Sequence, residues 1–279
     1  MRGRNTSVTF WGTRGSIPSP GPATVLYGGN TSCVEVRHGE DSLILDGGSG
    51  IRLLGLTYSD NHFGRLSEIP VLVSHNHMDH IIGLPFFGPI LQINRKIRIY
   101  GPPGLRHSLK NLFPFHILPA QKRVIEIEEK KLRIGPYQIE SRWLNHPGLA
   151  LGYRIVTPDH KIIIYVSDHE SPSRSCHNRC GISDKELSRW AHNADLLIMD
   201  AQYFEKEYRV KQGWGHSPSS YTVHTALKAD VKQLALYHHD PLHSDHLLKK
   251  KEREAIQLIR RSKQKLACFA ASEGTTLTL

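Results

Sequence analysis

Short apolar runs separated by turn residues recur along the chain, and they predict strands with helices set between them. Residues 7–11 read as a strand, followed by a turn-rich stretch over 12–22. Residues 31–37 and 42–45 read as two more strands, joined by a turn at 38–41. The glycines at 47, 48 and 50 break the pattern before a helix over about 51–58. Residues 70–74 form an apolar strand of buried type. Residues 96–100 form another, stopped by Gly101-Pro102-Pro103-Gly104, and 105–112 is helical. Further strands are predicted at 123–127, 137–144, 151–155, 161–166, 196–199 and 233–237, with closing strands at 267–270 and 275–279. Ser183-Asp184-Lys185-Glu186 has the form of a capping box opening a helix to residue 191. Ser217-Pro218 opens a helix to 228, with Ser217 as its cap, and 245–262 is a long basic helix. Strands and helices in both halves, with no linker between them, predict one α/β sandwich over residues 1–279 with helices outside. No internal repeat is evident.

Composition narrows the class. The chain has 279 residues, 39% hydrophobic and 22% charged, which is ordinary for a globular protein. No stretch approaches the roughly 20 apolar residues of a membrane span. The N-terminal residues lead into a strand-like run and not an apolar signal core, and the 4 Cys do not make a disulfide scaffold. A cytosolic, reducing location is expected. Lys and Arg number 36 against 26 Asp and Glu, a net charge of +10 that favours phosphate-bearing partners. The chain also carries 18 His. Imidazole is the commonest metal ligand, so a metal site is expected.

The histidines are not spread evenly. Ser74-His75-Asn76-His77-Met78-Asp79-His80 directly follows the apolar run Val71-Leu72-Val73. In extended chain His75 and His77 face the same way, so they can hold one cation together. If the chain then turns into a helix, Asp79 and His80 swing toward a neighbouring point, and one short segment can feed two metals. Four-coordinate zinc needs further ligands, and other strand ends offer them. His146 follows the strand at 137–144, Asp168 follows that at 161–166, and His238 and His239 follow that at 233–237.

His75-Asn76-His77-Met78-Asp79-His80 resembles the HxHxDH motif of the metallo-β-lactamase superfamily. His146, Asp168 and His238 fall in the order that superfamily uses. The resemblance runs from Phe10-Trp11-Gly12-Thr13-Arg14-Gly15 to Tyr237-His238-His239-Asp240-Pro241. It implies an αββα sandwich of two mixed β-sheets, with the metals at one edge. It implies two Zn²⁺ per subunit, with Mn²⁺ as the alternative: His75, His77 and His146 on one, Asp79, His80 and His238 on the other, and Asp168 bridging. His239 competes for the last place; otherwise it is left for substrate or for supporting the ligands.

Carboxylates at both Asp79 and Asp168 resemble the phosphodiesterase branch, which includes tRNase Z. Gly213-Trp214-Gly215-His216-Ser217 looks like the His-Ser segment of tRNase Z, whose His is a general acid. Asp200-Ala201-Gln202 resembles the acidic segment that supports it. The catalytic set so implied is His216, Asp200 and Asp79. The long Gly- and Pro-rich arm with which a tRNase Z clamps tRNA is missing here. The motifs at 11–18, 27–32 and 200–203 are similar to those of small phosphodiesterases that cleave 3′,5′-cyclic nucleotides, among them phage anti-Pycsar proteins. The function implied is hydrolysis of a small cyclic nucleotide to the 5′-monophosphate by a metal-bridging hydroxide. RNA 3′-processing is the alternative, and a non-catalytic nucleotide sponge is a distant third. Relatives in this group are often homodimers, and no membrane is involved.

Weaker features remain open. Asn30, with Ser32, either contacts substrate or merely shapes a turn. Cys176-His177-Asn178-Arg179-Cys180 is either a second zinc site or a solvent loop. The basic run Lys249-Lys250-Lys251 reads as a solvated helix face unless it binds nucleic acid.

Overall fold

The computed structural model describes residues 5–58, 68–91, 96–113, 122–172 and 181–279. The first half of the chain builds one sheet from β1 (Thr6–Gly12), β2 (Cys33–His38), β3 (Asp41–Leu45), β4 (Glu68–Leu72), β5 (Lys96–Gly101) and β6 (Lys122–Glu126). The second half builds another from β7 (Lys131–Ile134), β8 (Tyr137–Trp143), β9 (Leu151–Val156), β10 (Ile162–Val166), β11 (Leu196–Asp200), β12 (Gln233–Tyr237) and β13 (Ala267–Ala270). The last strand, β14 (Thr276–Thr278), returns to the first sheet. The orders are β14-β1-β2-β3-β4-β5-β6 and β13-β12-β11-β10-β9-β8-β7, seven strands in each. The helices are α1 (Ile51–Thr57), α2 (Met78–Ile81), α3 (Gly88–Leu91), α4 (Leu105–Leu112), α5 (Asp184–Trp190), α6 (Glu205–Tyr208), α7 (Ser219–Lys228) and α8 (Asp245–Ser262).

Side-chain alternation along the strands sorts the apolar residues into layers. Val8, Phe10, Val34, Val36, Leu43 and Leu45 of the first sheet meet Tyr153, Ile155, Ile163, Tyr165, Ile198 and Tyr237 of the second in one core. Alternate residues face outward. Ile44, Val71, Ile97 and Ile99 pack on Leu54 of α1 and on Leu105 and Leu109 of α4. On the far side, Ile164, Leu197 and Leu236 pack on Leu187 of α5, Val223 of α7 and Ile259 of α8. Helix, sheet, sheet, helix is the αββα sandwich expected. No helix among the described residues is long and apolar enough to cross a membrane.

Strands β3 to β6 run parallel, as do β10 to β13. Strand β8 is antiparallel to β9, and β9 to β10, so β8 points the same way as β10. The chain therefore leaves β4, β8, β10, β11 and β12 at carboxyl ends, where ligand sites of parallel sheets form.

Some sequence expectations shift. The strand expected from residue 31 begins at Cys33, because Thr31 and Ser49 exchange side-chain bonds to each other's backbone N–H (3.0 and 2.8 Å) and draw residue 31 off the ladder. Ser217 is not the cap of α7: its hydroxyl donates to the His169 carbonyl at 2.5 Å, and the helix starts at Ser219. The Ser183 capping box forms as expected. Lys251 is not on a solvated face: it is fully buried, and its ammonium donates to the carbonyls of Ala201 and Gln202 at 2.7 Å each. Lys249 and Lys250 remain exposed. Cys176 and Cys180 lie outside the described residues.

Candidate metal centre

The residues after β4 leave the sheet extended, and His77 caps the single turn of α2 that carries Asp79 and His80. That turn separates two donor groups. His75, His77 and His146 converge on one point, and Asp79, His80 and His238 on another. Asp168, after β10, lies against both. Its carboxylate is 3.7 Å from His75 Nε2 and 3.9 Å from His146 Nε2, and 3.2 Å from His80 Nε2 and 3.4 Å from His238 Nε2.

The spacing suits cations. Two nitrogens about 2.0–2.1 Å from a shared tetrahedral Zn²⁺ would stand roughly 3.3 Å apart. His146 Nε2 and His77 Nδ1 are 3.2 Å apart, and His238 Nε2 is 3.0 Å from Asp79 Oδ2. Buried polar atoms point the same way: His75 Nε2, His80 Nε2 and Asp168 Oδ1 have no aligned hydrogen-bond partner. Such atoms are costly unless something pairs with them. The donor set, imidazoles with two carboxylates, is that of zinc or manganese.

Protonation favours ligation at five of the donors. Burial holds His75 and His77 below the ordinary histidine value and takes His146 to about 4, leaving neutral imidazoles ready to ligate. For Asp79 and Asp168 burial pushes upward, but the surrounding imidazoles win and keep both well below the usual carboxylate range. Burial pushes His80 down; Asp79 and Asp168 outweigh it and hold its pKa well above normal.

Behind the donors lie residues that the sequence reading passed over. Asp46, at the end of β3, is fully buried and accepts from Ser74 N (2.6 Å), Ser74 Oγ (2.9 Å), Tyr165 Oη (2.6 Å) and His80 Nδ1 (2.7 Å). It fixes His80 with Nε2 toward the centre. Its signal was available: a carboxylate closing the buried run Leu43-Ile44-Leu45, the same placement that marked Asp168. His146 is fixed likewise, its Nδ1 donating to the Gly215 carbonyl at 2.9 Å. Ser16 N–H donates to Asp79 Oδ2 at 2.7 Å from the loop after β1. A methyl group at Gly15 would lie 2.4 Å from the His238 ring, so only glycine lets that loop close over the ligand. His238 itself holds φ of 56°, an unusual conformation for a residue with a side chain.

His216 and Asp200 form a pair beside the donors. His216 Nδ1 is 2.8 Å from Asp200 Oδ2, and its ring stacks on His238 at 4.9 Å between centroids. Burial alone would lower the His216 pKa; Asp200, with Asp168 and Asp79, more than offsets it and pushes it up to about 9. Asp200 also accepts from the backbone N–H of His169 (3.2 Å) and Gln202 (2.9 Å), so its orientation is set independently of His216.

Of the three residues expected at the substrate, two have side chains engaged away from the donors. His239 is fully buried, with Nε2 on the Ala271 carbonyl at 2.8 Å and its ring edge-on to Tyr27. Of the two, His238 is the one whose Nε2 stands with Asp79 and His80. Asn30 spends its side chain on Glu273 (3.1 Å) and Ser49 (2.9 Å), and Ser32 is buried within the same loop.

A model of the β-lactamase superfamily domain matches residues 65–239. Curated relatives include the ribonuclease Z of Picrophilus torridus, 24% identical over 85% of this chain and 87% of that protein. The ribonuclease Z of Lachnospira eligens is 25% identical over 84% and 87%. Among solved structures, the metallo-β-lactamase fold protein YhfI from Bacillus subtilis superposes with a TM-score of 0.73 at 22% identity, covering 98% of this chain and 99% of that one. A diphosphatase from the PhnP family gives 0.70 at 16% identity, and human tRNase Z, short form, 0.65 at 22%, each over 98% of both chains.

Proposed function

The chain belongs to the metallo-β-lactamase superfamily, and from that membership and its donor cluster we propose that it is a dinuclear metal-dependent phosphodiesterase that hydrolyses small 3′,5′-cyclic nucleotides to nucleoside 5′-monophosphates. The observation that carries this reading is the pair of donor groups sharing Asp168, with the His216–Asp200 pair set against them. Bound there, two divalent cations would activate water and offset charge on a phosphate. His75, His77 and His146 would hold one cation, and Asp79, His80 and His238 the other, with Asp168 between them.

The chain's own acid is His216. Its Nδ1–H donates to Asp200, so the transferable proton is the one on Nε2. Asp200 favours the doubly protonated ring, which can protonate a leaving ribose oxygen.

RNA 3′-end processing is the second reading. It is supported by the net charge of +10 and by relatives named ribonuclease Z. The element spacing favours the smaller substrate. The longest interval between consecutive described elements is residues 13–32, and Thr13, Arg14, Gly15 and Ser16 of that interval are tied down over the metal face. Among the described residues, little chain is left for a protruding arm.

The test is to incubate metal-loaded protein with cyclic mononucleotides, cyclic dinucleotides and precursor tRNA, and to resolve products by chromatography. A 5′-monophosphate from a cyclic mononucleotide is the expected product; tRNA cleavage with every cyclic nucleotide intact would favour the second reading instead. His216→Ala should lower turnover by about 10²–10⁴-fold with metal content unchanged. His77→Ala should lower bound metal by elemental analysis, and full retention would remove that ligand from the set.

A further inference from the structure

The loop that delivers His216 also holds a large apolar ring in water. Trp214 is 62% exposed, two residues from His216. At 3.8 Å per Cα step their Cα atoms are within about 7.6 Å. Single exposed apolar side chains are ordinary, and exposure alone would carry nothing. What distinguishes Trp214 is how its backbone is held.

Glu170 is buried, and its carboxylate straddles the tryptophan. Oε1 accepts from Gly213 N–H at 2.7 Å, and Oε2 from Gly215 N–H at 2.8 Å. Tyr208 Oη donates to the same Oε1 at 3.0 Å. Gly213 and Gly215 both hold positive φ, 86° and 88°, so the chain turns sharply on each side of residue 214. A methyl group at Gly215 would meet the His146 ring at 2.3 Å. The loop is thus locked against the metal centre while the indole between its two glycines stays free. Lys211 adds positive charge nearby. Its ammonium is 6.0 Å from the Trp214 ring and 4.4 Å from that of Tyr203, which in turn lies edge-on to His216.

An aromatic side chain on a fixed loop beside a general acid suits one part of a nucleotide. The atom that His216 would protonate is the leaving ribose oxygen. In a 3′,5′-cyclic nucleotide opened to a 5′-phosphate, that atom is O3′ of a nucleoside bearing a base. Every base has a π face, and stacking on an aromatic side chain tolerates any of them. We propose that Trp214 is a base-stacking platform for the nucleoside on the leaving-group side, presented by the Glu170 clamp. The proposal rests on the phosphodiesterase reading of the metal centre.

The experiment compares wild type, Trp214→Ala and Trp214→Phe as metal-loaded full-length protein. It measures kcat and KM on the diester that wild type cleaves best. It also measures inhibition by adenosine 5′-monophosphate and by ribose 5-phosphate. Trp214→Ala should raise KM about tenfold or more, with kcat within a few-fold of wild type. It should weaken inhibition by the nucleotide and leave ribose 5-phosphate unaffected, and Trp214→Phe should restore most of the loss. Equal KM in wild type and Trp214→Ala, or parallel weakening of both inhibitors, would overturn the platform while the enzyme reading stands. A wild type that cleaves no phosphodiester would overturn both.

Discussion

Asp46 shows how far the centre depends on groups that touch no cation. Four donors converge on its carboxylate, and one of them is the ring nitrogen that sets His80. Asp46→Asn keeps the shape but removes the charge and replaces an acceptor with a donor. Such changes behind a ligand typically cost 10–100-fold in metal affinity. The expected result is weaker binding of one equivalent of metal by about that factor, read by competition with a chromogenic chelator, with secondary structure unchanged by circular dichroism. Unchanged affinity would detach Asp46 from the site. The donor cluster was legible because four of its residues fall in a six-residue motif and the rest sit at strand ends. Asp46 carried only the weak signal of a carboxylate closing a buried run, because its role appears only when Ser74 and His80 from one segment and Tyr165 from another meet it. Asn30 and His239 show what a sequence leaves open: that a segment belongs to the metal face does not say which way a side chain points.

Among the elements, long alternating or apolar segments were the ones read well from sequence, and short ones were missed. Strand β7 and helix α6 are four residues each and too brief for a period to register. Helix α8 was placed correctly, yet its basic run was misread at one position. Lys249 and Lys250 face water, whereas Lys251, one step round the helix, is buried beneath the segment after Asp200. Burial pulls its pKa from 10.5 down to about 7. Between those values the unfolded chain binds a proton that the folded chain does not, so this lysine makes stability rise with pH from about 7 toward 10. Below about 7 both states are protonated and its slope vanishes. Lys251→Met should remove this rise, as measured by urea midpoints from pH 6.5 to 9.5. It should also cost about 1–3 kcal/mol per carbonyl left without a donor at Ala201 and Gln202. A slope identical in both proteins would mean that Lys251 stays charged in the fold.

Except for β14, the two sheets come from the two halves of the chain, and the donor cluster lies across their shared edge. Residues 75, 77, 79 and 80 leave the first sheet through β4; residues 146, 168 and 238 leave the second through β8, β10 and β12. Each donor group takes two side chains from one half and one from the other. A cation in either place would therefore crosslink the halves, and its binding energy would count toward folding. Free metal at 100 times its dissociation constant adds about 2.7 kcal/mol for one site. With roughly 2–4 °C per kcal/mol in a chain of this size, stripping one site should lower the melting temperature by about 5–10 °C. Calorimetry before and after chelation, with metal content confirmed by elemental analysis, reads the shift. Adding metal back should restore it, and His77→Ala should show a smaller one because it disables one donor group. A melting temperature that stays put when the metal is gone would mean that the sandwich closes on its apolar core alone and that the cations join nothing that packing has not already joined.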